Sequence, residues 1–292
     1  MPTPCRPLAT LLLSAALFAA LPADASTAAI PEEYAPGIRL TRDVAYGGHR
    51  RQRFDVYARQ GLSHAPAIVM IHGGAWRGGD KRNPGVLGAK LTHWIGRDHV
   101  FISVNTRLSP VADPIEQARD LARAVAAAQR NAALWGADPE RFVLMGHSAG
   151  AHLVALLLAM PGEAHRLGMG TVRGAVLLDA GALDVPAIMR RRHLPLYDRA
   201  FGADPAFWLN ASPLHRLHTP TVPLLLVCAS TRPAAPCDEA EALATRARAL
   251  GGVATVRPEA LGHVQINTEL GEPGPYTEAV TAFIDRVVGA DD

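Results

Sequence analysis

The stretch that decides the fold is residues 142–158, FVLMGHSAGAHLVALLL. An apolar run typical of a buried strand leads through Gly-His-Ser-Ala-Gly into an apolar segment typical of a helix. Such a sharp reversal from strand to helix forces Ser148 into a strained backbone conformation, and Gly146 and Gly150 leave the room that the turn needs. Because the strained turn lifts the hydroxyl clear of the sheet, we predict that Ser148 is a nucleophile.

A second glycine-containing loop comes earlier in the chain, where residues 71–76 read IHGGAW after another apolar strand. Its glycines allow the backbone N–H groups to turn towards the predicted nucleophile. The first free N–H groups of the helix after Ser148 carry partial positive charge and face the same place. We therefore predict that Gly73, Gly74 and Ala149 form an oxyanion hole, which stabilises a tetrahedral intermediate.

A histidine late in the chain is the predicted general base. His263 follows the apolar run Val253–Val256 and precedes the final helix-like segment. In that loop its imidazole would take the proton from Ser148 and return it to the leaving group. His147 and His152 also lie near the serine, but one should face away on the turn and the other lies one turn down the helix. We expect both to be structural.

Apolar runs alternate with helix-like segments along the chain, a pattern typical of an α/β fold. The runs predicted as buried strands are residues 67–71, 100–104, 142–145, 175–178 and 224–228, and an opening hairpin pairs 44–46 with 53–57. The predicted helices are 114–135, 149–160, 239–250 and 276–288. We predict a doubly wound, mainly parallel sheet of about eight strands with helices on both faces, in one domain covering residues 26–292.

Residues 185–218 interrupt this alternation with aromatic residues among prolines and basic side chains. We predict a small insertion after the sixth strand. It could be a lid over the site or an ordinary helical excursion packed on the sheet.

The motifs resemble the carboxylesterase branch of the α/β-hydrolase superfamily that contains acetyl-xylan and feruloyl esterases and kynurenine formamidase. The resemblance lies in residues 72–76, residues 146–153 and His263, and residues 105–110 (NTRLSP) extend it. The family usually has tyrosine where Thr106 stands. The similarity runs from about Arg53 to the C-terminus, and it implies the α/β-hydrolase fold and serine-based hydrolysis.

The acid that should orient His263 is the open question. The family usually places it after the penultimate strand, but residues 230–233 (STRP) contain no carboxylate, and the cationic Arg232 cannot serve. Asp179, one strand earlier, is the preferred candidate, in an arrangement that resembles pancreatic-type lipases. Asp184 and Asp238 remain alternatives, although either could instead cap a helix.

The N-terminus predicts export. Arg6 precedes an apolar stretch from Leu8 to Leu21, and residues 23–25 provide small residues typical of a cleavage site, so residues 1–25 are a predicted signal peptide. The apolar stretch is about 14 residues long, whereas a spanning helix needs roughly 20. The mature protein would be periplasmic or secreted, with no membrane association after cleavage. Its two remaining cysteines, Cys228 and Cys237, are predicted to form a disulfide in an oxidising compartment.

The remaining composition excludes several classes of partner. The formal net charge of +2 and the lack of basic runs give no indication of nucleic-acid binding. The histidines do not have the ligand spacing of a metal site, and no phosphate-binding loop is present, so we expect no metal and no cofactor. A small-molecule substrate is expected, and the oligomeric state stays open.

These observations predict a serine carboxylesterase that hydrolyses esters of small to medium acyl groups through an acyl-enzyme on Ser148. An arylformamidase similar to kynurenine formamidase is the alternative within enzymes, although export argues against it. A catalytically silent hydrolase-fold binding protein is the alternative from another class, because the expected acid after the penultimate strand is missing.

Overall fold

The structure is a computed structural model that describes residues 32–232 and 236–289, so the predicted signal peptide lies outside the described residues. The strands in chain order are β1 (Glu32–Ala35), β2 (Ile38–Ala45), β3 (Arg53–Arg59), β4 (Ala65–Ile71), β5 (Val100–Val104), β6 (Ala137–His147), β7 (Gly174–Leu178), β8 (Leu224–Ala229) and β9 (Ala254–Glu259). The helices are α1 (Pro84–Ile95), α2 (Pro114–Arg130), α3 (Ala149–Leu158), α4 (Pro161–Arg166), α5 (Val185–Arg190), α6 (Pro195–Phe201), α7 (Pro205–Asn210), α8 (Pro213–Arg216), α9 (Pro236–Ala249), α10 (His263–Thr268) and α11 (Pro275–Gly289), with a 3₁₀ turn at Ala132–Trp135.

The described strands form one sheet in the order β1-β2-β3-β5-β4-β6-β7-β8-β9. The pairs from β1 to β5 are antiparallel, and those from β5 through β4 to β9 are parallel. This mostly parallel sheet with helices confirms the predicted α/β-hydrolase fold, and the opening hairpin pairs Val44 with Phe54 as expected. The predicted number of about eight strands was one too low, because β1 is only four residues long and lacks an apolar alternation that would mark it in the sequence.

Alternate residues of the central strands face opposite sides of the sheet, as the two-residue period of a strand requires. On β4, Val69 and Ile71 pack in the same core as α2, α3 and α9. Ile68 and Met70 pack in a second core with α1, α10 and α11. Burial on both faces explains why these strands are apolar throughout rather than alternating.

The segment 185–218 lies after β7, the seventh strand rather than the sixth because of the additional β1, and it consists of the four short helices α5 to α8. Each of them has a proline in its first turn. Proline is favoured there because its ring fixes φ and its missing N–H would have no helical partner. This signal is visible in the sequence and could have predicted the helices. Whether the segment moves as a lid stays a prediction.

Two further features concern the cysteines and the hydropathy of the helices. The Sγ atoms of Cys228 and Cys237 lie 2.07 Å apart, at bonding distance, with their Cα atoms 5.2 Å apart. Within residues 32–232 and 236–289, no helix combines the length and the hydropathy that crossing a bilayer would require.

Candidate active site

The turn between β6 and α3 has the strained geometry that the sequence predicts. Ser148 has φ 54° and ψ −119°, in the left-handed region that residues with a side chain rarely adopt. A Cβ on Gly146 would lie 2.5 Å from the carbonyl oxygen of Gly150, and one on Gly150 would lie 2.4 Å from that of Ile71. Both glycines are therefore required by the close approach of the backbone, and together they hold Ser148 at the carboxyl end of the sheet.

The structure brings the three predicted catalytic side chains together. His263 Nε2 lies 2.9 Å from Ser148 Oγ. On the other side of the ring, His263 Nδ1 lies 2.5 Å from Asp179 Oδ2. With Nδ1 donating to the carboxylate, Nε2 presents its lone pair to the serine hydroxyl, which is the tautomer that a general base needs.

Sheet register explains why Asp179 reaches this place. β6 and β7 are parallel neighbours with His147 opposite Leu178, so the residues that follow, Ser148 and Asp179, leave adjacent strand ends side by side. The Ser148 N–H also donates to the Leu178 carbonyl at 2.9 Å. Asp179 has a positive φ of 43°, a strained conformation that non-glycine residues keep mainly at functional sites.

The Asp179 carboxylate is fully buried yet well satisfied by hydrogen bonds. Oδ1 accepts from the Ala229 N–H at 3.0 Å, and Oδ2 accepts from Arg232 Nη1 at 2.6 Å as well as from His263. Burial acts to raise the pKa of Asp179, but the hydrogen bonds from His263 and Ala229 and the charge of Arg232 outweigh it, so its pKa lies below the ordinary value. The group is therefore ionised at neutral pH.

The two alternative acids are not brought to His263. Asp184 caps α5 by accepting from the Ala187 N–H at 3.0 Å. Asp238 lies in the first turn of α9, which begins at Pro236, three residues before the predicted start, so the expectation that Asp238 precedes the helix as a cap was wrong. Asp184 thus has the capping role that was expected if it were not the acid.

The predicted oxyanion hole lies around backbone N–H groups without an internal partner. The N–H groups of Gly73, Gly74 and Ala149 donate no hydrogen bond to another described residue. A Cβ added to Gly73 would lie 3.0 Å from the Ser148 Cβ, so this loop passes directly beside the serine. Gly74 has φ 125°, which favours glycine, and its carbonyl accepts from the Gly78 N–H at 2.8 Å, closing the turn.

Asn105 holds the oxyanion loop in place from the strand beside it. Its Oδ1 accepts from the Lys81 N–H at 2.8 Å, and its Nδ2 donates to Asp80 at 2.7 Å. Arg51 donates to the Gly79 carbonyl at 2.9 Å and to the Thr106 carbonyl at 3.0 Å. These contacts explain what the segment NTRLSP does structurally: it anchors the far side of the loop that carries Gly73 and Gly74.

Of the other two histidines near the serine, His152 is fully buried, and burial lowers its pKa to about 4. Its Nδ1 accepts from Trp76 Nε1 at 3.0 Å and its Nε2 donates to the Ala211 carbonyl at 2.8 Å, so it joins the oxyanion loop to the end of α7. Phe201 of the insertion packs edge-on against Trp76 at 4.9 Å. His152 thus contributes to packing, and neither ring nitrogen is turned towards Ser148.

His147 contacts the predicted base instead of the nucleophile. Its Nε2 donates to the backbone carbonyl of His263 at 2.8 Å, and the two rings lie 4.7 Å apart. Burial, followed by the neighbouring His263, lowers the pKa of His147 to about 3, so it stays neutral. Arg232, by contrast, was excluded as the acid in the sequence but its contact with Asp179 was not foreseen, because no local pattern indicates a pairing across two loops.

Among the described residues, no three side chains of the histidine, cysteine, aspartate and glutamate types converge in a way that could hold a metal ion. The functional groups that meet at this site are a hydroxyl, an imidazole, a carboxylate and backbone donors.

The sheet order, the turn at Ser148 and the loop that carries Gly73 define the α/β-hydrolase fold. Comparisons with known proteins agree. The family model BD-FAE matches residues 54–185, slightly less than half of the chain. The solved structure of a truncated carbohydrate esterase from gut microbiota has a TM-score of 0.72 at 18% identity, with 86% of this chain and 96% of that chain covered.

Curated relatives are similar over longer stretches. Isoprenylcysteine alpha-carbonyl methylesterase ICME of Arabidopsis thaliana is 27% identical over 237 residues, 74% of this chain and 54% of the relative. Esterase LipQ of Mycobacterium tuberculosis is 27% identical over 267 residues, 85% of this chain and 63% of the relative. The chain thus spans less than two-thirds of the length of either relative. These matches confirm the resemblance to α/β-hydrolase esterases that the motifs predicted.

Proposed function

We propose that this protein is a serine carboxylesterase that hydrolyses esters of small to medium acyl groups. The observation that carries the proposal is the chain of two hydrogen bonds from Ser148 through His263 to the buried Asp179, at 2.9 and 2.5 Å. The curated relatives named as a methylesterase and an esterase support the choice of an ester substrate.

In the first half of the reaction, Ser148 Oγ attacks the ester carbonyl carbon while His263 Nε2 takes its proton. The imidazolium that forms is stabilised by Asp179. The carbonyl oxygen becomes an oxyanion, which accepts hydrogen bonds from the N–H groups around Gly73, Gly74 and Ala149. When the tetrahedral intermediate collapses, the bond to the alcohol oxygen breaks, His263 gives its proton to that oxygen, and the acyl group stays on Ser148.

In the second half, His263 takes a proton from water, and the resulting hydroxide attacks the acyl carbon. The bond to Ser148 Oγ breaks, the proton returns to the serine, and the carboxylic acid leaves. Water is the second reactant of this scheme, and His263 carries every proton that is transferred.

We further propose that residues 1–25 are removed on export and that Cys228 and Cys237 are bonded in the mature protein. The small-residue triplet at 23–25 supports the cleavage, and the 5.2 Å separation of the two cysteine Cα atoms supports the bond. The bond is tested by alkylating free thiols without reductant and measuring the peptide masses by mass spectrometry. Two alkylated cysteines would contradict it.

The function is tested with a fluorophosphonate probe and a series of p-nitrophenyl esters from acetate to decanoate. The wild-type protein should hydrolyse the shorter esters, and peptide mapping should find the probe on Ser148. Ser148→Ala should lose both labelling and turnover, whereas Ser63→Ala, an exposed serine in the turn before β4, should keep both. A wild-type protein that leaves Ser148 unlabelled and every ester intact would show that the site is silent.

A further inference from the structure

Arg232 contacts two of the three predicted catalytic side chains. Its Nη1 donates to Asp179 Oδ2 at 2.6 Å, the same oxygen that accepts from His263. The same Nη1 lies 3.3 Å from His263 Nδ1. Both nitrogens point their hydrogens at the carboxylate, so they cannot bond to each other, and a full positive charge stands beside the imidazole ring.

This charge changes the electrostatics of the site. With neutral His263, the carboxylate of Asp179 and the guanidinium of Arg232 together carry no net charge. When His263 takes a proton, Asp179 attracts the new imidazolium but Arg232 repels it. Without Arg232, the buried carboxylate would act on the ring unopposed and would hold a proton there more strongly.

Other ionisable groups near His263 and Asp179 come from neighbouring elements. Tyr197 on α6 and Tyr276 on α11 stay neutral, because burial raises the pKa of both phenols. His147 faces His263 from the turn before α3, and burial keeps it neutral by lowering its pKa to about 3. Lys90, on α1, is buried, which lowers its pKa to about 7, and its charge also acts to lower the pKa of His147. Its side-chain nitrogen donates to the carbonyl oxygen of Asn267 on α10.

The segment that carries Arg232 is fixed on several sides. Ser230 Oγ donates to the Glu259 carbonyl, and Thr231 Oγ1 donates to the Leu261 carbonyl, both at 2.9 Å. The pair Cys228–Cys237 closes the same segment across its ends. Arg232 is therefore held against the site by the loop that also leads to His263.

We propose that Arg232 is a positioning residue that offsets the charge of Asp179 and thereby lowers the pH down to which His263 acts as a base. This inference rests on the proposed function, because it concerns the base of that reaction. The enzyme would therefore keep its activity at mildly acidic pH. In return, the imidazolium that forms during the reaction would be stabilised less strongly by Asp179.

The test compares Arg232→Gln, which removes the charge, with Arg232→Lys, which keeps it. kcat/KM for p-nitrophenyl acetate is measured from about pH 4.5 to about pH 9. A charge a few ångströms away shifts a titration by about one to three units, and because the side chain is 25% exposed the lower end applies. For R232Q we expect the midpoint of the acid limb to rise by about one pH unit, while the plateau at high pH changes less than about threefold. R232K should stay near the wild type.

A matched control is Arg59→Gln, which removes an arginine that pairs with Asp98 at 2.7 Å on an exposed face far along the sheet. It should leave the acid limb unchanged. An R232Q variant whose midpoint does not move, or whose plateau falls without a shift, would overturn the inference, since a purely structural role predicts the second result.

A readout independent of turnover separates this inference from the proposed function. In proton NMR, the hydrogen between His263 Nδ1 and Asp179 should give a low-field signal that changes as the imidazole gains a proton. The pH of that change should rise by about one unit in R232Q. If the wild type hydrolyses no ester, the proposed function fails; if it does and the signal titrates identically in both proteins, only the role of Arg232 fails.

Discussion

Replacing Asp179 with asparagine should abolish most of the activity while the fold persists. The new amide has two orientations, and each loses a contact that the carboxylate makes. With the amide oxygen at Oδ1, where it accepts from the Ala229 N–H at 3.0 Å, the amide nitrogen takes the position of Oδ2 and faces the donors of both Arg232 and His263. That nitrogen would meet His263 Nδ1 as a donor, and His263 would have to turn its lone pair towards it.

The consequence for His263 is the wrong tautomer. With the lone pair on Nδ1, the hydrogen sits on Nε2 and points at Ser148 Oγ, so the ring can no longer take the serine proton. If the amide flips instead, the buried Ala229 N–H loses its acceptor, which costs about 1–3 kcal/mol. A loss of the correct tautomer lowers kcat by about 10⁴-fold, equivalent to about 5.5 kcal/mol of transition-state stabilisation.

The assay is kcat for p-nitrophenyl acetate, with circular dichroism and the midpoint of thermal unfolding to show that the protein is folded. Asp184→Asn and Asp238→Asn are the matched controls, because both were candidate acids and neither contacts His263. They should stay within about threefold of the wild type. A folded Asp179→Asn variant within tenfold of the wild type, or a larger loss in either control, would refute the assignment of Asp179.

Two other predictions concern the oxyanion loop and the histidine beneath it. In Gly73→Ala the new Cβ would lie 3.0 Å from Ser148 Cβ and 3.1 Å from the His147 carbonyl oxygen, so the loop must move. We expect kcat to fall by about 10²- to 10³-fold with KM changed little. Steady-state kinetics checks this, with Gly48→Ala as the control because a Cβ there meets open space. Burial lowers the pKa of His152 from 6.5 to about 4, so as the pH falls the unfolded chain binds a proton on this histidine before the folded protein does. The free energy of unfolding should therefore keep its full value above about pH 6.5 and fall by about 3 kcal/mol as the pH drops to about 4. Urea unfolding at both pH values measures this loss, which should be smaller in His152→Asn, and an equal loss in both proteins would contradict the assignment.

Much of the fold and part of the site follow from local sequence patterns. The turn at Ser148 and the loop at Gly73 are local structures, and their glycines are needed by contacts between residues a few positions apart or on adjacent strand ends. The buried parallel strands are predictable for a similar reason, because burial on both faces leaves continuous apolar runs. A four-residue edge strand such as β1 leaves no such pattern.

The acid could be favoured from the sequence but not chosen, because the choice depends on register. Asp179 reaches His263 because Leu178 pairs with His147 on one side and with Val227 on the other. Neither strand pairing can be predicted from the sequence of one segment alone. The contact of Arg232 with Asp179 spans 53 positions and depends on the course of two loops. Contacts of this kind between distant side chains depend on the tertiary structure and leave no pattern in the local sequence.

The hydrogen bond from His147 to the backbone of His263 has a mechanical consequence. His147 directly precedes Ser148, and its side-chain Nε2 donates to the carbonyl oxygen of His263, the first residue of α10, at 2.8 Å. When the turn at Ser148 moves, this hydrogen bond would move His263 with it. The distance between Ser148 Oγ and His263 Nε2 would then change little. His147, the second position of the Gly-x-Ser-x-Gly pattern, thus links two parts of the chain more than a hundred residues apart.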